Sequence, residues 1–268
     1  MPMDNGYDRR KVLKTITTGS IAGVALTGMA SADDTEDRSE SEAYAEATVT
    51  SDDIGGDASI TTEDPHSGPG ILTGGGMEPT DTVDHVATFS STLDLESSAG
   101  VDYGYAQGHA TMYRAHEQVS DEYVYFIWHH MTGYPDDGYF YKVRLREMEV
   151  SIDVVDDDVT LVSYDPTSSQ LQREREYDLS ADVTLPSGAG AGLSGSNYVH
   201  QGTVHPVNQS TGQSGSFGVE YENDNTSETS FSMNGISEYR SEEKFTDDTP
   251  WRGDYFSVTL YASADGHG

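Results

Sequence analysis

From residue 83 onward the chain alternates apolar and polar side chains with the period of a β-strand. Val83, His85, Ala87, Phe89, Ser91, Leu93 and Leu95 share one parity, and Asp84, Thr88, Ser90, Thr92 and Asp94 hold the other. That alternation predicts a strand with one buried face. Tyr123 to Met131 is apolar on both parities, with Tyr125 and Ile127 against Val124, Phe126 and Trp128, as in a central strand. From Tyr139 to Val155 the apolar set sits on odd positions (Tyr141, Val143, Leu145) and then on even ones (Met148, Val150, Ile152, Val154). The flip near Glu147 predicts a bulge or a strand that changes sheet.

Shorter strands are expected at Val159–Tyr164, Tyr177–Leu185, Tyr198–Val207, Phe217–Tyr221, Thr229–Ile236 and Tyr255–Ala262. Asp136-Asp137-Gly138, Asp156-Asp157-Asp158, the glycine run 188–195 and Asn223-Asp224-Asn225 supply the turns. No segment carries a long 3.6-residue amphipathic repeat. The expected fold is an antiparallel all-β sandwich of about eight to ten strands over residues 83–268.

The chain ahead of residue 83 has a different character. Residues 33–82 are acidic, rich in Ser, Thr and Gly and poor in large apolar groups, which predicts a disordered acidic tail or linker. A helix over Ser39–Ala47 would be marginal in isolation. In residues 1–32, Arg9-Arg10-Lys11 precedes a short apolar stretch from Ile16 to Met29, and Ala30-Ser31-Ala32 follows. A basic start, a short apolar run and an A-x-A exit describe a cleaved export signal. The run is too short and too polar to remain as a membrane span. The segment resembles the twin-arginine signals of haloarchaeal secreted proteins, with Asp8 and Val12 where that motif more often has Ser/Thr and Phe. The resemblance implies an extracellular destination.

Charge sharpens the picture. The full chain has 14 Lys+Arg against 47 Asp+Glu. Without the signal, 10 basic and 45 acidic residues remain, a net of −35, and the lysines are reduced to Lys142 and Lys244. Such a surface repels itself in dilute buffer, whereas at molar salt the Debye length is about 3 Å and only near neighbours interact. With 17 tyrosines and an intact apolar pattern, the composition reads as a folded domain built for brine. Nucleic acid is excluded as a partner, because no basic stripe exists to neutralise phosphates. The absence of cysteine removes disulfides, thiol catalysis and zinc–thiolate sites.

Catalytic signatures are missing. His109, His116, His129 and His130 cluster in sequence, with His200 and His205 further on. On strands, however, His109 opposes His116 and His129 opposes His130, and no H-E-x-x-H spacing exists. These side chains are therefore expected at the surface or partly buried. No G-x-S-x-G elbow occurs, and no carboxylate pair is singled out for glycoside hydrolysis. No cofactor is implied. A divalent cation could sit in an acidic loop, with Asp156, Asp157 and Asp158 the candidates, although none follows the twelve-residue EF-hand frame. Asn208-Gln209-Ser210 and Asn225-Thr226-Ser227 are glycosylation sequons, which makes Asn208 and Asn225 acceptor candidates.

Residues 177–206 pair an alternating strand (Tyr177, Leu179, Ala181, Val183, Leu185) with a small-residue turn and a return through Tyr198, His200, Gly202 and Val204. Together with Val162-Ser163-Tyr164-Asp165-Pro166, this stretch resembles the entry to the stem hairpin of the leukocidin/haemolysin pore-forming family. That resemblance implies a membrane-inserting hairpin at 177–206. The expected role is thus non-catalytic binding in the extracellular space, to a cell-surface, glycan or protein ligand. The alternatives are a secreted β-pore-former, the one case with a membrane partner, and a secreted hydrolase. The charge predicts that the melting temperature of the full chain falls as KCl is lowered below about 1 M. A melting temperature that is flat from low to molar salt would contradict the salt-adapted reading.

Overall fold

The computed structural model describes residues 43–62, 76–97, 100–136, 142–167, 171–172, 175–199, 202–223, 231–252 and 255–267. Arg9, Arg10, His200 and Asn225 lie outside them. The described residues form fifteen strands and no α-helix: β1 (Ala43–Thr50), β2 (Ala58–Thr61), β3 (Gly76–Pro79), β4 (Val83–Glu96), β5 (Asp102–Ala115), β6 (Tyr123–Pro135), β7 (Lys142–Val154) and β8 (Val159–Asp165). They continue with β9 (Leu171–Gln172), β10 (Arg175–Thr184), β11 (Gly190–Val199), β12 (Thr203–Ser210), β13 (Ser216–Glu222), β14 (Phe231–Ser241) and β15 (Phe256–His267).

All pairs of neighbouring strands are antiparallel. Sheet A runs β1-β15-β7-β13-β12-β9, sheet B runs β2-β4-β5-β6-β14-β8, and a small sheet C runs β10-β11-β3. The all-β sandwich expected from the alternation is what the chain adopts.

Sheet B packs against sheet A on one face and, along β14 and β6, against sheet C on the other, and this explains the doubly apolar β6. Its odd residues face sheet A: His129 meets Phe217 of β13 edge-on, with ring centroids 5.1 Å apart. The even residues face sheet C, and Phe126, Trp128 and His130 are all buried. A Cβ at Gly108 of β5 would lie 2.7 Å from Leu260 of β15. The two large sheets approach so closely there that a larger residue would have to displace the Leu260 side chain.

Sheet C is fastened by polar groups as well as apolar ones. β8 ends at Asp165, opposite Ile236, and among the described residues no strand pairs with the edge of β14 beyond it. The Tyr177 hydroxyl fills that place: it donates to the Asn234 carbonyl (3.1 Å) and accepts from the Asn234 amide (3.1 Å). Asn197 Nδ2 donates to the Ser232 carbonyl at 2.8 Å and to Tyr177 at 3.1 Å. Beneath them, Asn234 Oδ1 accepts from Trp128 Nε1 (2.9 Å) and pairs with His130 Nδ1 (2.6 Å). Left unmet, these buried donors would each cost about 1–3 kcal/mol.

Several elements differ from the sequence reading. β1, β2 and β3 lie within 43–79, in the stretch whose composition reads as linker. β1 pairs with β15 over its whole length, and its buried face consists of small groups such as Ala45 and Val49, which leave little hydrophobic signal. β5 also carries no readable alternation, because glycine and alanine fill its sheet A face. The parity flip near Glu147 is a bulge: Ser263 and Ala264 of β15 pair with Glu147 and Leu145, leaving Arg146 extra.

Trp128 fills the sheet B–sheet C interface and donates to Asn234, so Trp128→Ala is expected to cost about 3–5 kcal/mol in urea unfolding. A loss below about 1 kcal/mol would place the residue at the periphery.

Candidate metal centre

The histidine group does not form a site. His116 lies at the surface 3.1 Å from Asp84. His129 points into the gap between sheets A and B, with Nε2 2.6 Å from the Ser237 hydroxyl. His109 and His130 stack on the opposite face, with centroids 5.9 Å apart. These three are buried, not at the surface or partly buried as expected, because the part of sheet B that carries them lies between sheet A and sheet C. Burial pushes His129 down to about 3 and His130 to about 4, and burial plus the charge of His130 lowers His109 to about 4. All three are neutral packing groups at neutral pH.

Ligand chemistry gathers instead on the outer face of sheet A. Strand register sets side chains there in rows. Tyr261, Glu149, Glu220 and His205 form one row across β15, β7, β13 and β12, and Ser263, Glu147, Glu222 and Thr203 form the next. The Arg146 bulge turns Glu147 onto this face. His205 Nε2 stands 3.6 Å from Glu220 Oε2. One ligating atom from each of His205, Glu220 and Glu222 lies within 4.8 Å of the others. This is the set among the described residues that could hold a metal ion.

The electrostatics follow from crowding. Partial burial, the shared hydrogen bond with Glu220 and the charges of Glu220, Glu222 and Glu149 push Glu147 up to about 7. Burial also pushes Glu220 up, but His205 and Glu147 outweigh it and hold that carboxyl below its ordinary value. The contact with Glu220 raises His205. Beside the cluster, the buried Asp265 carboxylate accepts from Arg144 Nε at 3.0 Å and Nη2 at 2.8 Å, and from Arg146 Nε.

The Asp156–Asp158 turn is arranged otherwise. Asp156 Oδ1 accepts from the Asp158 amide at 2.8 Å, capping the turn, while Asp157 and Asp158 are exposed. Asn208 is half-buried in a left-handed conformation (φ 55°) at the β12 bulge, where asparagine is tolerated better than most residues. The 177–206 segment divides between two sheets. β10 returns through β11, with Thr184 opposite Gly190, whereas β12 leaves to join sheet A. Tyr177, Leu179, Ala181 and Leu185 are buried, and Asp178 and Asp182 face solvent. No described helix is long and apolar enough to cross a membrane.

Sequence reasoning named His205 but did not join it to Glu220, Glu222 and Glu147. The signal available was the same-parity pair Glu220 and Glu222, but the register of β12 and β7 against it is not encoded locally. No protein-family model matches the chain, and no curated protein matches it.

The buried histidines predict acid lability. Their folded pKa values lie below the ordinary 6.5, so their stabilisation is complete above pH 6.5 and is lost as pH falls toward about 4. Each contributes a slope of about 1.4 kcal/mol per pH unit across that window. Glu147 has the opposite sign, its stabilisation being lost as pH rises through about 7, and Asp165 is raised as well; the three histidines outnumber them. Urea unfolding in molar KCl should show lower stability at pH 4.5 than at pH 7. A His109→Gln variant should flatten the dependence, and equal stability of the native chain at both values would contradict this assignment.

Proposed function

We propose that the chain is an exported, salt-adapted, non-catalytic binding protein of the extracellular space, and that it engages a cell-surface glycan or protein ligand through the outer face of sheet A. The observation that carries this reading is an asymmetry of layers. Sheet B carries sheet C on its far side along β6 and β14, whereas among the described strands none is stacked on the outer face of sheet A. That face presents ionisable and hydroxyl groups in register across four neighbouring strands. A broad, rigid surface rich in directional polar groups is suited to recognition, since its side chains are held in place by the strands beneath them. The twin-arginine pattern at Arg9 and Arg10 and the lysine-poor charge of the chain support the extracellular, high-salt setting.

Immobilised full chain, probed in molar KCl with purified surface-layer glycoprotein and with its released glycans, should retain one of them. Glu149→Lys should weaken that binding about tenfold or more, a change of about 1.4 kcal/mol. Asp178→Lys, on the exposed side of sheet C, should leave it unchanged. Equal loss in both variants, or retention of neither probe, would contradict the assignment of this face.

A further inference from the structure

The His205 cluster differs from the acidic surface around it in two respects. First, it contains an imidazole aimed at a carboxylate, which a surface shaped only for hydration does not need. His205 and Glu220 are directly opposed in the β12–β13 register, and Glu222 follows two residues along on the same face. Their separation of 3.6 Å is close to the ligand–ligand edge of about 3.4 Å expected around a tetrahedral ion with bonds of about 2.1 Å. Second, the ligand pair is supported from behind. Glu147 of β7 lies directly opposite Glu222 and diagonal to Glu220 in the β7–β13 register, on the same face, where an outer carboxyl orients a ligating one.

We propose that His205, Glu220 and Glu222 bind one divalent transition-metal ion, with Zn2+ as the preferred member of the class, and that Glu147 positions Glu220 as a second-layer carboxyl. The imidazole nitrogen decides the class, because Ca2+ and Mg2+ take oxygen ligands while Zn2+ and its neighbours accept nitrogen. Three protein ligands leave a fourth position for water or for a donor group of a bound molecule. This site goes beyond the binding function proposed above and does not depend on it. A metal ion could bind here whatever the face recognises.

The test is titration of the full chain in molar KCl at pH 7.5 with Zn2+, Co2+ and Ca2+ in turn, followed by calorimetry and by the visible spectrum of the Co2+ form. One equivalent of Zn2+ should bind, and Co2+ should give the spectrum of a four-coordinate nitrogen–oxygen site. His205→Ala and Glu222→Gln should each weaken Zn2+ binding at least about 100-fold, and Glu147→Ala by roughly 10- to 100-fold. The triple variant Asp156→Asn, Asp157→Asn, Asp158→Asn should bind as the native chain does. Glu222 is exposed, so its variant reports on the site even if replacement of Glu220 disturbs the sheet; melting curves establish that each variant is folded. Three results would overturn the proposal: no saturable Zn2+ binding, binding that survives both His205→Ala and Glu222→Gln, or Ca2+ bound more tightly than Zn2+.

Discussion

The double burial of β6 and β14 in the middle of sheet B is the constraint on which the rest of the structure depends. A strand covered once can send its polar side chains to water, but a strand covered twice must satisfy or neutralise most of the polar groups it carries. β6 shows the consequence. It brings Trp128, His129 and His130 into the interior, and each polar ring there meets an acceptor or hydroxyl from β14. Asn234 is the joint of this arrangement: its side chain serves Trp128 and His130 while its backbone is met by Tyr177. Sheet C is therefore tied into the central sheet by hydrogen bonds as well as by area, and the histidines stay neutral because nothing in that interior favours their charge.

Covering the middle of one large sheet twice leaves the other with a free side. The acidic character of the chain is spread over such surfaces, but on sheet A the strand register concentrates it. Glu147, Glu149, Glu220 and Glu222 converge because β7 and β13 are paired residue for residue, and the Arg146 bulge resets the parity of β7 just before them. The bulge also supplies the arginine that, with Arg144, neutralises Asp265. A local irregularity one residue long thus separates a buried ion pair from a crowded carboxylate group.

Legibility in the sequence followed side-chain size. Where strands bury large groups, as in β4, β6 and the second half of β7, period and even the bulge could be read directly. β5 and β1 escaped because their buried faces are built from glycine, alanine and small β-branched residues, chosen by the close approach of the sheets and not by hydrophobicity. The third layer was visible only as the doubly apolar β6; nothing local in β10 and β11 says that they lie across the edge of β14. The His205 cluster was hidden for a related reason. His205 and Glu147 are distant in sequence and meet only through the register of three strands, whereas Asp156, Asp157 and Asp158 are adjacent in sequence but turn outward around an amide cap.

Amide hydrogen exchange of the full chain in molar KCl tests the two-sided burial of β6 and β14 most directly. The account predicts that the amides of β6 and of the β14 segment paired with it exchange most slowly in the molecule, slower than those of β12 and β13, whose sheet is covered on one face. Protection in β6 no greater than in β12, or concentrated in sheet A instead, would contradict it.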